Sequence, residues 1–337
     1  MRTAITEAKK QGRPVEVATA ATESGRTWAY PDGHLTADIY AGLARAKHAN
    51  GEWAWIDNSL IEQDGVLKQR TPSAVAAVQF STGGTGHPFA VLTKGDKGGQ
   101  LALSWPTSLP KAVVKGQTAT YTDAVRPGAD LVVMALTTGF RFDVVLREKP
   151  TGSFKLRLPL AAKGLDLSTT KDGVLQLTDG KGRKIGDGQR PMMWDAGPEH
   201  GARRTAVKVS VEKSDNDAVL VIDPDKKFLR DSTTKYPVTI DPTISLGLQA
   251  DTWVENSTAY GSSQAHDIQL WAGAYENPFE GTNLVDRSFL KFDSSALAGR
   301  SIKDAVLALR QHSSTGCGDA NSAVKAQRIP LSGTNSA

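Results

Sequence analysis

The sequence predicts a mainly β protein: an N-terminal antiparallel β-sandwich or supersandwich, followed by a partial jelly-roll-like β-sandwich. Three observations carry this. From Val15 onward, apolar and β-branched residues alternate with polar ones at period two. Turn-forming residues, including many of the 32 glycines and 16 prolines, punctuate those runs at short and even spacing. Helical periodicity is essentially absent after residue 12.

Taken in order, residues 3–11 read as one short helix stopped by Gly12 and Pro14. Val15, Val17 and Thr19 alternate, Glu23-Ser-Gly-Arg26 turns, and Trp28 and Tyr30 begin the return strand, ended by Pro31-Asp-Gly33. Residues 37–48 fit either a strand with a bulge or a short helix. Trp53 and Trp55 alternate ahead of Asp57, and Asp64-Gly65 is a hairpin signal. Strands are expected at 75–80, 89–93, 101–105, 111–114 and 118–121. The strongest hairpin is 130–136 with 140–146, dense enough in β-branched residues to sit centrally in a sheet. Further strands are expected at 154–158, 174–177, 191–195, 205–211 and 218–222. The stretch Lys227 to Thr243 combines a short helical turn, a strand at 236–240 and an Asp241-Pro242 stop, and divides the chain. Beyond it, strands are expected at 251–254, 267–271, 285–293, 301–310 and 323–329. The expected organisation is a short helical lead at 1–13, a multi-stranded β region at 14–243 with a sub-boundary near 106–112, and a second β-sandwich at 244–337 that looks truncated.

The 337 residues suffice for two or three domains, each with its own core. The longest apolar runs, such as 131–136, are too short to span a bilayer. Forty basic and 36 acidic residues are interspersed, and no aromatic-studded basic stripe is present, so nucleic acid is not an expected partner. Cys317 is the only cysteine, so no internal disulfide is expected, and its setting reads as a loop thiol. The first 14 residues lack the apolar core of a signal peptide. That leaves a cytosolic chain or a piece of a longer precursor, and the final turn, with no closing strand, favours the latter.

Asp251-Thr-Trp-Val, the Tyr260-Gly-Ser-Ser loop, Asp286-Arg-Ser-Phe-Leu-Lys-Phe-Asp293 and Ile302-Lys-Asp-Ala-Val-Leu-Ala-Leu-Arg310 together resemble the DNRLRE domain, an extracellular β-sandwich family grouped with carbohydrate-binding modules. Upstream, Tyr30-Pro-Asp-Gly33, Gly51-Glu-Trp-Ala-Trp-Ile-Asp57, Leu103-Ser-Trp-Pro106, Pro127-Gly-Ala-Asp130 and Tyr236-Pro-Val-Thr-Ile-Asp-Pro-Thr243 are similar to the segment preceding that domain in large secreted actinobacterial proteins. Many of those carry rearrangement-hotspot (YD) repeats and toxin tips. The resemblance implies an extracellular or cell-surface setting, although no signal peptide and no downstream repeats are seen here.

Motifs for phosphate loops, zinc proteases and nucleophile elbows are missing. Gly83-Gly84-Thr-Gly86 lacks the lysine and helix of a phosphate loop and reads as a strand connection. The six histidines are far apart and form no metal-ligand spacing. Ser214-Asp-Asn-Asp217 and Asp223-Pro-Asp225 are the best oxygen-ligand candidates for Ca²⁺, yet both lack the ligand number a hard cation wants, so no cofactor is expected.

Carbohydrate binding has a physical basis, because sugar C–H faces stack on exposed aromatic rings while polar groups hold the hydroxyls. Trp253, Trp271 and Tyr275, with Arg287 and Lys291, are the candidates, and core packing is the competing reading for each ring. Arg287 also matches the arginine of the DNRLRE motif.

The leading expectation is therefore a non-enzymatic secreted or cell-surface protein whose second unit binds polysaccharide or cell-wall glycan. The alternatives are a structural or delivery scaffold of a polymorphic toxin, whose partners are the missing C-terminal domains of the same precursor, and a polysaccharide lyase or hydrolase.

Overall fold

The computed structural model describes residues 1–95, 98–152, 154–171, 173–188, 190–197, 202–214, 217–246, 251–256, 270–277 and 282–310. The protein is mainly β, built from antiparallel sheets. A helix at Arg2–Gln11 opens it, closed by Gly12 in the left-handed conformation (φ 67°), the helix stop that a Cβ-free residue adopts without strain.

Two eight-stranded sheets form the body. Sheet I runs, in spatial order, Lys208–Lys213, Ala218–Asp223, Leu156–Lys163, Gly99–Leu103, Ala90–Lys94, Ala76–Ser81, Val66–Thr71 and Asp57–Gln63. Sheet II runs Val113–Lys115, Thr118–Arg126, Ala129–Leu136, Gly139–Leu146, Val238–Asp241, Met192–Trp194 and Arg204–Ala206, with Thr243–Ser245 also paired to Gly139–Leu146. One core joins them, from Leu60 to Leu246, and Leu92, Leu101 and Leu158 of sheet I are as fully buried as Leu131, Phe140 and Phe142 of sheet II. Stretch 106–112, where a sub-boundary is expected, carries the chain from one sheet to the other, and Trp105 and Leu109 belong to the same core.

Buried polar groups fix how the sheets face each other. The Tyr121 hydroxyl donates to the Ser81 carbonyl (2.5 Å) and Gln69 donates to the Leu136 carbonyl (3.1 Å) while accepting from the Val78 amide (2.8 Å). Each bond removes a group that would otherwise be buried unpaired, at a cost of about 1–3 kcal/mol.

The hairpin predicted from 130–136 and 140–146 is present as Ala129–Leu136 and Gly139–Leu146, in register from Ala129 opposite Leu146 to Leu136 opposite Gly139, and it is central in sheet II. Asp64-Gly65 closes the hairpin between Asp57–Gln63 and Val66–Thr71 with both φ values positive (53° and 74°), the geometry that such a two-residue turn requires.

A three-stranded sheet (Leu165–Thr169, Leu175–Asp179, Lys184–Asp187) lies against the end of sheet II, where a Cβ on Gly186 would stand 2.1 Å from the Ser245 carbonyl. Toward the amino end, Val15–Glu16, Gly25–Ala29 and Leu35–Ile39 form a second small sheet, and Arg45–Lys47 pairs with Trp53–Trp55. The two readings of residues 37–48 are thereby settled: the segment is neither a helix nor one bulged strand but parts of two strands. Tyr40 and Ala44 bond back to the 23–24 turn between them.

The stretch from 227 onward has the expected short helical turn followed by a strand, but Asp241-Pro242 is no stop: past Pro242 the chain stays in sheet II as Thr243–Ser245. Asp225 caps the short helix Lys226–Arg230 by accepting from the Lys227 and Phe228 amides, and the chain then enters Val238–Asp241. Because its carboxylate is committed to this cap, Asp225 serves the helix. Asp223 pairs with Lys155 at 3.5 Å.

The second unit contains, among the described residues, one three-stranded sheet in the order Asp251–Glu255, Thr282–Leu290, Gly273–Asn277. The expected strand at 301–310 is corrected. Among the described residues the stretch is bonded to no strand, and Ile302, Val306, Leu307 and Leu309 are exposed. Alternation supplies an apolar face, but a strand also needs a neighbour's backbone to pair with. The Tyr260 loop, the strand at 323–329, Cys317, and all but residues 270–271 of the 267–271 strand lie outside the described residues.

Gly139 tests the architecture. A Cβ there would stand 2.1 Å from the Ile244 carbonyl, so Gly139→Ala must push the Thr243–Ser245 strand off sheet II. We expect a loss of about 3 kcal/mol or more, read as a lowered midpoint in denaturant unfolding.

Candidate functional site

The outer face of sheet II carries the most concentrated chemistry. Alternation along Gly139–Leu146 turns Phe140, Phe142 and Val144 into the core, and so turns Arg141 and Asp143 outward. Asp241 and Thr243 reach the same face from the returning strands, and Met192 pairs with Asp241 across the ladder. Arg141 bridges Asp143 (2.8 Å) and Asp241 (3.3 Å), Thr243 donates to Asp241 (3.1 Å), and Trp194 stacks on the Arg141 guanidinium at 5.5 Å. Burial pushes the Asp143 carboxyl above its ordinary range, with Arg141 pulling it back.

The second unit covers this face. Trp253 is 3% exposed and packs on Met192, with Trp194, Ala206 and Trp271 around it. Trp253 and Trp271 meet edge-on at 6.3 Å between ring centres. Below them, Glu255 and Asp286 stand directly opposite each other on adjacent strands, 6% and 7% exposed. The Oδ1 atom of Asp286 is buried without a hydrogen-bond partner. Arg204, which pairs across the ladder with Trp194, faces this carboxyl pair from sheet II.

The five residues proposed to hold a sugar are divided by this packing. Trp253 and Trp271 come together, but within the contact between the second unit and sheet II. Arg287 is exposed on the opposite face of its strand from Asp286 and Ser288, and Lys291 is exposed just beyond the strand's end. Tyr275 lies on Gly273–Asn277. No single stacking surface is formed by the four whose side chains are described.

A second aromatic array went unnoticed in the sequence. Arg26 lies over both Trp28 and Trp55 at 5.0 Å, and Arg45 over Trp53 at 5.4 Å and Trp55 at 5.7 Å, giving interleaved indoles and guanidiniums. Asp38 and Glu16 hold the two arginines at 2.8 Å and 2.5 Å. Trp55, at 47% exposure, is the open end of the array. The signal was Trp53-Ala-Trp55 set against Arg45-Ala-Lys47, visible only once those strands are known to pair.

Elsewhere, Gly83-Gly84 is a strand connection, as read. Gly84 exchanges both backbone bonds with Leu109 (2.8 and 2.9 Å). Among the described residues, no group of three or more His, Cys, Asp or Glu is placed to hold a metal ion, and no helix is long and apolar enough to cross a membrane.

No family model matches the chain, and neither does any solved structure. Three curated proteins do. It is 26% identical over 306 residues to the tRNA nuclease WapA of Bacillus subtilis strain 168, covering 83% of this chain and 13% of that protein. Similarity to the tRNA3(Ser)-specific nuclease WapA of Bacillus spizizenii has the same extent and identity. The tRNA(Glu)-specific nuclease WapA of Bacillus subtilis subsp. natto is 30% identical over 185 residues, covering 50% of this chain and 8% of that one. The chain thus spans about an eighth or less of the length of these relatives. Their names overturn the expectation of a non-enzymatic protein, because segments like this one belong to proteins named as nucleases. Their names also make tRNA what those proteins act on, where no nucleic-acid partner was expected.

Proposed function

We propose that this chain is the β-sheet carrier region of a much larger secreted nuclease toxin, holding and presenting parts of the same parent protein. The observation that carries this reading is the coverage: the match takes in 83% of this chain and only 13% of relatives named as tRNA nucleases. The matched region is therefore a small, shared part of very long proteins.

The physical character of the region supports it. Two sheets around one core make a body that resists deformation, since close-packed interiors transmit strain rather than absorb it. The Asp286 carboxyl, which burial pushes up to about 7, is 7% exposed and faces Arg204 of sheet II, a closed-in setting that offers a phosphodiester little approach. Trp253 is buried in the contact with sheet II, which takes one of the rings away from a polysaccharide reading, and the carrier reading is the better supported. An extracellular or cell-surface setting follows from the carrier role, and the partners are the remaining domains of the parent chain.

The test is removal of residues 57–246 from the parent protein. We expect delivery of activity to neighbouring cells to be lost, while tRNA cleavage in a cell lysate persists within a few-fold. Undiminished killing of neighbouring cells by the deletion variant would overturn the proposal.

A further inference from the structure

We infer that the second unit is latched onto sheet II by a shared proton: Asp286 and Glu255 close the contact as a carboxylic acid–carboxylate pair, and the contact loosens when that proton leaves. The inference stands independently of the carrier reading.

The geometry leads to it in three steps. First, the two carboxyl groups face each other across adjacent strands at 7% and 6% exposure, and two desolvated negative charges at that spacing repel too strongly to coexist. Second, the groups facing Asp286 do not compensate. Glu255 approaches on the neighbouring strand, Arg204 comes from sheet II, and Gly273, opposite on the third strand, carries no side chain. Among the described groups acting on Asp286, Arg204 is the one cation. In the adjoining cluster Arg141 likewise stands between two carboxyls, Asp143 and Asp241. Third, a protonated Asp286 donates its hydrogen to Glu255, leaving the unpartnered Oδ1 as a neutral carbonyl oxygen, much cheaper to bury than a carboxylate oxygen.

The titration agrees. Burial pushes the Asp286 carboxyl up to about 7, the charge of Glu255 and the bond to it act in the same direction, and Arg204 pulls it back. Since the docked form holds its proton more tightly than the released form, docking is strongest in acid. It weakens as pH rises from the ordinary carboxylate range, about 4, toward 7, and levels off above that. The latch therefore holds in acid and slackens in mild alkali, the reverse of most surface ion pairs.

The experiment follows hydrogen exchange in the full chain from pH 5.5 to 8.5, corrected for intrinsic exchange, comparing amides of Asp251–Glu255 and Thr282–Leu290 with those of Gly139–Leu146. We expect protection of the second unit to fall roughly twentyfold to thirtyfold between pH 5.5 and 7.5 and to flatten beyond it. The body's protection should stay level. Asp286→Asn, which keeps a neutral donor beside Glu255, should abolish the fall. Glu255→Gln, which removes the neighbouring charge but leaves Asp286 buried, should shrink the fall, and serves if the first variant loses protection in the body. A flat profile in the unaltered protein, or a fall of the same size in a folded variant, would overturn the inference. So would recovery of protection at pH 8.5 on adding 2 mM CaCl₂ as a probe, which would replace the proton by a cation.

Discussion

The structure depends on one return of the chain. Gly139–Leu146 is laid down early beside Ala129–Leu136, but its other edge stays open until Val238–Asp241 and Thr243–Ser245 come back to pair with it. About a hundred residues separate those partners. Closing so long a loop costs conformational entropy before any contact rewards it, so the returning strands must be strongly specified. They are: Val238, Ile240 and Ile244 enter the core, and Gly139 leaves room for the Ile244 carbonyl to approach. The helix at Lys226–Arg230 steers the entry. Its cap residue Asp225 and the Tyr236 hydroxyl, bonded to the Leu229 carbonyl at 2.7 Å, fix where the strand begins. Asp195 ties the neighbouring loop to it by accepting from the amides of Arg203 (3.0 Å) and Lys235 (3.1 Å).

The same closure makes a platform. By bringing Asp241 beside Arg141 and Met192 beside Asp241, it assembles the outer surface on which Trp253 is seated. A patch mixing tryptophan, methionine and paired charges suits a contact that is held, yet can be adjusted, because its apolar part gives adhesion and its buried carboxyls give a dependence on protons. The likeness to proteins named as tRNA nucleases gives this platform a context, a short stretch of a long chain, without naming which part of that chain it meets.

Legibility followed distance along the sequence. Local signals read true: Gly12 ended the first helix, Asp64-Gly65 made its hairpin, and the apolar density of 130–146 marked the centre of a sheet. What failed to show was what depends on partners far away. Residues 37–48 were ambiguous because their strands gain identity only from pairing with Gly25–Ala29 and Trp53–Trp55. The alternation at 301–310 looked like a strand, and among the described residues no neighbour pairs with it. Trp253 drew notice as a ring for stacking sugars, while its burial against Met192, some sixty residues earlier, left no local trace. Asp286 was read as part of the DNRLRE-like motif and its partner Glu255 was passed over, since only strand register places them face to face. Enzymatic context was illegible for another reason: it came from relatives that extend far beyond this chain.

The central claim is that residues 57–246 are one body whose two sheets share a core closed by the strands at 238–245. Following hydrogen exchange of the slowest amides across a denaturant series tests it most directly. The account predicts that amides of Leu156–Lys163 in sheet I and Ala129–Leu136 in sheet II converge on one unfolding free energy and one denaturant dependence. Two separate isotherms, one for each sheet, would contradict it.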